Sequence, residues 1–262
     1  MSLVVSRPGR VWRLVLSRPE QRNAVSTSMM EELSAGLADA AASPEARAVV
    51  LEGAGRHFCA GADVAELLEA TGGPGAVEYG RALEAVLVAV GEHPLPVIAG
   101  VQGAALGAGC QLAVACDLAI AAEDARFGIP SSRLGVLVNY ENVERLTLAI
   151  GPKRAAELLL TGRELPGTEA AAWGLVNAAV PEAGLDDAVD ALAESVAAGA
   201  PFSVRGSKLG IREVLRAQAA PRRAEGSRGA FDMLAAEALA SEDLREGIAA
   251  FREQRAPEFR GK

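Results

Sequence analysis

Aromatic residues are scarce, at 4% of 262 residues, so Ala, Val and Leu must fill the interior. Histidine is scarcer still, with two residues, and there are three cysteines. Cys59, Cys110 and Cys116 show no Cys-x-x-Cys spacing, and His57 and His93 do not complete a ligand set, so no structural zinc or other metal site is expected. Packed thiols in a reducing compartment are the simpler expectation. No apolar run approaches the ~18 residues of a transmembrane helix. The N-terminal "MSLVVSRPGRVWRLVLSRP" lacks an apolar signal core with a small-residue cleavage site, so the expected compartment is the cytoplasm and no membrane partner is expected. An excess of basic charge is also missing. The formal net charge is −8, which argues against nucleic acid as a partner. A polyanionic ligand would have to be met by local basic residues.

What is present is half hydrophobic and 23% charged, enough apolar material for an ample core. "VWRLVLSRP" alternates and predicts a strand ended by Pro19. Ser28 with Glu31 three residues on has the form of a capping box, and Met30, Leu33 and Leu37 then fall on one helical face. "ARAVVLEG" predicts a buried strand, and "GRHFCAGAD" a loop leading into a helix near Asp63. "TGGPG" at 71–75 predicts a turn and "GAVEYGRALEAVLVAVGEH" a helix stopped before Pro94. "PVIAGVQG" predicts a strand, 107–115 a helix, "CDLAIAAED" a strand and 142–150 a helix. This alternation points to an α/β core. From Pro152 the pattern is almost wholly helical apart from a strand at "LVNAAVP". Ser241 is placed to cap the last helix, with Glu242 and Asp243 in its first turn and Leu244, Ile248 and Phe251 as its apolar stripe.

Two Gly/Ala loops, "CAGAD" at 59–63 and "LGAGCQ" at 106–111, each lie where a strand gives way to a helix. Turns of this kind present unpaired N–H groups at the positive end of a helix. Two of them converging could hold one developing oxyanion. The second loop runs into Gln111, an amide that can exchange hydrogen bonds but does not titrate.

"RPEQRNAVS" at 18–26, "HFCAGADVAEL" at 57–67, the long block "HPLPVIAGVQGAALGAGCQLAVACDLAIAAEDARFGIP" at 93–130 and "LLLTGRELPGTEAAAWGLVNAAVP" at 158–181 resemble successive blocks of the crotonase, or enoyl-CoA hydratase/isomerase, superfamily. The ending "GIAAFREQRAPEFRGK" is similar to that family's ending. The resemblance implies an α/β spiral of ββα units over residues 1–181 carrying an acyl-CoA site. It implies a helical trimerisation region over 182–262 and assembly as a homotrimer or dimer of trimers. The thioester oxygen would accept N–H groups from Ala60 and Ala108, with Gly61, Ala62, Asp63 and Gly107 lining the substrate. No separate cofactor is implied, since coenzyme A arrives as part of the substrate.

In hydratases of that family two glutamates act on one water. Those positions correspond here to Gln111 and Ser131, and neither can serve as a general base near neutral pH. Ordinary hydratase activity is therefore expected to be weak or absent. Glu141, followed by Glu144, is the nearest substitute acid, and Tyr140 could donate a hydrogen bond. The alternative for both acids is to favour the start of the helix at 142–150. His57 reads as a loop histidine and Asp63 as a helix cap. Arg22, Arg56, Arg255, Arg260 and Lys262 are candidates to meet the CoA phosphates. Tyr79 and Leu83 either line an acyl tunnel or pack in the core. Three functions stay open at this point: a non-catalytic acyl-CoA carrier or sensor, an isomerase, decarboxylase or hydrolase using another residue such as Glu141, and a hydratase of reduced activity.

Overall fold

The computed structural model describes residues 2–7, 9–70, 75–219 and 227–260; most of the turn expected at 71–75, and Lys262, lie outside them. The chain opens with β1 (Leu3–Ser6) and β2 (Val11–Leu16), then α1 (Thr27–Ala42), β3 (Ala48–Gly53), α2 (Val64–Ala70) and α3 (Gly75–Gly91). It continues through β4 (Val97–Val101), β5 (Ala104–Leu106), α4 (Ala108–Ala115), β6 (Leu118–Ala122) and β7 (Arg126–Gly128). Next come α5 (Ser131–Leu134), α6 (Tyr140–Ile150), α7 (Pro152–Thr161), β8 (Glu164–Pro166), α8 (Gly167–Trp173) and β9 (Ala178–Val180). After a single 3-10 turn at Glu182–Gly184 come α9 (Leu185–Ala198), α10 (Pro201–Ala219), α11 (Ser227–Ala240) and α12 (Glu242–Glu253), followed by an irregular tail over 254–260.

The strands form two sheets. The larger has the order β1-β2-β3-β4-β6-β9, antiparallel only at β1–β2. Its central strands are buried on both faces, as strands covered by helices on either side must be. Leu14 and Leu3 meet Gly36 of α1, while Gly100 on β4 meets Val189 of α9. The smaller sheet has the order β5-β7-β8, with β5 and β7 parallel. Cys59 extends it by a parallel bridge to Ala105. The chain thus repeats one move: a strand in the large sheet, a short strand in the small one, then a helix. It runs β3, Cys59, α2; then β4, β5, α4; then β6, β7, α5. This mixed α/β fold with a helical C-terminal region agrees with the sequence reading.

Three local expectations are corrected. The cap of α1 is Ser26, whose Oγ accepts from Met29 N at 3.2 Å. Ser28 is instead inside the first turn, its hydroxyl 3.0 Å from that of Ser26. The helical face it was meant to start is correct, with Met30, Leu33 and Leu37 all buried. The segment after Pro152 is not helical up to "LVNAAVP", because Glu164–Pro166 adds a strand to the small sheet. β1, β5 and β7 also go beyond the strands that alternation alone predicts. They are three or four residues long, too short for a period-2 pattern to register.

Candidate active site

The site is built at one edge of the small sheet. Cys59, β5 and β7 run parallel, and each chain leaves the sheet at the same end. These exits are Gly61–Ala62, Gly107–Ala108 and Ile129–Ser131. Parallel strands place ligands beyond their carboxyl ends, where the following loops and helix N-termini gather. Gly107 N donates to Gly128 O at 2.8 Å, which locks the second exit to the third.

The first and second exits touch. Gly61 has φ +121° and Gly107 φ +53° with ψ −116°, conformations that suit glycine. A Cβ on Gly107 would lie 3.7 Å from Gly61 Cα, and one on Gly61 would lie 3.2 Å from Leu106 O. Two side-chain-free backbones are thereby brought side by side.

The hydrogen-bond pattern decides which N–H groups face the gap. Ala60 was expected to donate to a ligand, but its N–H is given to Arg22 O at 2.9 Å. Val25 N donates to Gly61 O at 2.8 Å and Asp63 N donates to Val25 O at 2.9 Å, making Ala62 the centre of a parallel bridge to Val25. The central residue of such a bridge turns its own N–H and C=O away from the partner. On the far side of that chain lie β5 and Gly107, because Cys59 N donates to Ala104 O and Leu106 N to Cys59 O. Ala62, not Ala60, therefore directs its N–H toward the gap. Ala108 is the first residue of α4, where an N–H has no intrahelical partner. Among the described residues, neither N–H is taken by another group.

Gln111 stands in the first turn of α4. Its Oε1 is buried without a partner among the described residues, an arrangement that typically costs about 1–3 kcal/mol until a donor meets it. Ser131 opens α5 directly after Pro130 and is half-buried. Glu141 lies in the first turn of α6, capped by Asn139, whose Oδ1 accepts from Asn142 N at 3.1 Å. α6 packs against α4. Glu141 is engaged within the fold, and its place at the positive end of the helix matches the stabilising role expected of an acid there. Tyr140 meets Phe231 of α11 edge to face, with centroids 5.6 Å apart.

Around this edge several expectations resolve. Asp63 caps α2, Oδ1 accepting from Ala65 N at 3.0 Å, and its Oδ2 pairs with Arg18 at 2.8 Å. Tyr79 is a buried tie: its hydroxyl donates to Val25 O at 2.5 Å and accepts from Asp63 N at 3.3 Å. His57 accepts from Ala104 N through Nδ1 at 3.2 Å. Burial, and then the nearby Arg22, Arg126 and Arg56, hold its pKa below the usual histidine range. These three arginines are exposed and form a local basic rim on a net acidic chain. Arg126 belongs to it through β7, a strand that the sequence reading passes over. The Arg255 guanidinium is held by Glu246 and Glu253, and within the rim Arg126 is paired with Glu164 at 3.3 Å. Burial pushes the Cys59 and Cys110 thiols up to about 12, so neither is a ready nucleophile at neutral pH.

Sequence reasoning missed Asn23. It is fully buried with φ +57°, donates through Nδ2 to Ala54 O and His57 O, and accepts from Arg18 N through Oδ1. These bonds fix the loop whose Arg22 carbonyl holds Ala60. The available signal was an Asn in a short polar loop, a residue that tolerates the left-handed region.

The enoyl-CoA hydratase/isomerase family model matches residues 7–262. The chain belongs to this family. It is 35% identical over 261 residues to the 2,3-dehydroadipyl-CoA hydratase of Escherichia coli, covering 99% of each chain. An enoyl-CoA hydratase structure from Mycobacterium avium subsp. paratuberculosis superposes with a TM-score of 0.85 at 28% identity, over 99% of each chain. A methylmalonyl-CoA decarboxylase in complex with 2-nitronate-propionyl-CoA superposes with a TM-score of 0.89 at 26% identity, covering 100% of this chain and 99% of that one. Both the E. coli relative and the decarboxylase are named for acyl-CoA substrates. No described helix is long and apolar enough to cross a membrane.

Proposed function

We propose that this family member holds an acyl-CoA thioester with its carbonyl oxygen between the N–H groups of Ala62 and Ala108, and that ordinary enoyl-CoA hydration by it is weak or absent. The observation that carries this reading is the pair of uncommitted N–H groups at one strand edge beside a non-titrating Gln111. Donors fixed in place cost no reorganisation when charge develops on the oxygen, and removing one typically costs about 3–4 kcal/mol of catalysis. The pair favours the enolate form of the thioester. Gly61, Gly107 and Asp63 shape the hole, and Arg22, Arg56 and Arg126 are the candidates for the CoA phosphates. Coenzyme A enters as part of the substrate, with no further cofactor.

Enolate stabilisation alone serves several reactions. Loss of an α-carboxylate as carbon dioxide needs an electron sink and no base, and the structural match to a methylmalonyl-CoA decarboxylase favours that reaction. Isomerisation or hydrolysis would need a titrating group, for which Glu141 is the candidate. A second reading, hydratase activity through Glu141, is favoured by the names of relatives such as the E. coli hydratase. A carrier or sensor without turnover needs only the binding frame. Assembly as a homotrimer, or a dimer of such trimers, through the C-terminal helices is supported by the apolar side chains of Phe202, Ile211 and Val214 on α10 and Met233 on α11, all more than half exposed in the single chain.

The test is the hydration rate of short- and medium-chain trans-2-enoyl-CoA, wild type beside a Gln111→Glu/Ser131→Glu double variant. The expected result is a wild type that binds the thioester with little turnover and a variant that gains turnover, since a general acid/base group is typically worth ~10²–10⁴-fold. Wild-type turnover at ordinary enzymatic rates would overturn the reading and move the search to Glu141.

A further inference from the structure

We propose that Gly135 and Gly247 are positioning residues: they form a backbone-to-backbone joint through which the C-terminal helix α12 sets the place of the Ser131 segment. This rests on Ser131 belonging to the acyl-CoA site. A Cβ on Gly247 would lie 2.3 Å from Leu134 O and 2.4 Å from Leu134 C. A Cβ on Gly135, at φ +67°, would lie 2.6 Å from Asp243 O and 2.9 Å from Leu244 Cα. The two glycines therefore let α5 and α12 meet main chain to main chain, reciprocally and on both sides of one turn.

Helix propensity does not explain Gly247. A glycine inside a helix costs about 0.5–1 kcal/mol relative to alanine, and α12 is otherwise well made, capped by Ser241 Oγ accepting from Leu244 N at 3.0 Å. The close approach explains it. Leu244, Ile248 and Ala250 of α12 are also buried. On its other side α5 rests on the end of α7, where Ser132 Oγ comes within 3.1 Å of a Cβ placed on Gly162. The four-residue segment that starts with Ser131 is thus gripped from two directions.

The chain's end braces α12 from outside. Arg255 makes a two-pronged pair with Glu246, at 2.6 and 2.9 Å, one residue before Gly247. Glu258 N donates to Glu246 Oε1 at 2.8 Å and Arg260 N to Asp243 Oδ1 at 2.6 Å. Tail, helix and site segment form one mechanical series, which gives a charge pair remote from the strand edge a route to acyl binding.

The test is calorimetric titration of full-length Gly247→Ala with free coenzyme A and with butyryl-CoA, beside Gly184→Ala in the turn before α9, where a Cβ meets nothing within 4 Å. Gly247→Ala must move backbone by roughly an ångström to clear Leu134 O, and a misplacement of that size can cost ~100-fold in rate where reacting groups have to be aligned. The expected result is free-CoA affinity held within about two-fold, butyryl-CoA affinity lowered about tenfold or more, and both unchanged in Gly184→Ala. A folded Gly247→Ala with an unchanged ratio of the two affinities overturns the proposal, as does an equal fall in both. If Gly247→Ala does not fold, hydrogen exchange on full-length Arg255→Gln decides: faster exchange at residues 131–136 together with 242–250 is expected, and unchanged exchange at 131–136 overturns it. A wild type that binds neither ligand would sink the acyl-CoA reading alone, because the exchange coupling tests the joint without any ligand.

Discussion

Two residues show how a neutral side chain can govern this site in opposite ways. Gln111 leaves an acceptor buried and unpaired among the described residues, a group whose unmet cost is a reserve for whatever donor binds. Asn23 leaves nothing unpaired: its three bonds cross-link the 18–24 loop to Ala54 and His57. Replacing Asn23 by Ala strands those partners and puts a Cβ without a local hydrogen bond into the left-handed region. The expected loss is about 3–4 kcal/mol, from roughly 1 kcal/mol per bond and a similar amount of backbone strain. Urea denaturation of Asn23→Ala measures it, and a loss below about 1 kcal/mol would show that the loop is held by its backbone alone. The amide chemistry of position 111 is written in its letter, whereas its burial in the first turn of α4 came only with the fold. The choice between Ala60 and Ala62 was not, since both are alanine in one motif and only the direction of an N–H separates them.

At the scale of elements, the site depends on whether the 59–63 strand lies flat between two neighbours. The 22–25 loop holds one side and β5 the other, and Tyr79 reaches across from α3 to pin the end of the strand. Tyr79→Phe keeps the buried ring and deletes only the hydroxyl. It is expected to cost about 1 kcal/mol, since Val25 O loses the hydroxyl but keeps Asp63 N as a donor, and to weaken butyryl-CoA binding several-fold more than free-CoA binding because Ala62 shifts with Asp63. Paired denaturation and titration would check both, and an unchanged butyryl-CoA affinity would confine Tyr79 to packing. The long elements were legible from periodicity: α1 from Met30, Leu33 and Leu37, and α12 from its Ser241 cap with Leu244 and Ile248 buried, although Phe251, placed on the same stripe by the sequence, is exposed. The small sheet was not. β5, β7 and β8 have three residues each, so they arise from pairing between distant segments rather than from any local pattern, and they are what gathers the three strand exits.

For the molecule as a whole, the two histidines tie acid stability to buried backbone. His93 is buried, with Nε2 bonded to Leu37 O at 2.9 Å and Nδ1 accepting from Leu95 N at 3.2 Å. That ring spans α1 and the turn before β4 as a neutral imidazole. Burial chiefly, together with the nearby Lys208 charge, holds its pKa below the ordinary value of 6.5, against the opposing pull of the Leu37 and Leu95 carbonyls and of Asp117. His57 is shifted the same way, by burial and its three arginines. A histidine with a depressed native pKa takes up protons more readily once unfolded. Its contribution is fully present above about 6.5, the unfolded value, and is lost as pH falls from there through the native value. The melting temperature is therefore expected to hold between pH 7 and 8 and to decline steadily from pH 6.5 to 5, where carboxylates have scarcely begun to titrate. His93→Gln keeps a side-chain amide near Leu37 O and cannot titrate. Its melting temperature is expected to lie below wild type at pH 7.5, with a shallower decline toward pH 5. Thermal scans across that range decide it: an equally steep decline in His93→Gln would assign the acid sensitivity to His57 and the rim of arginines at the strand edge.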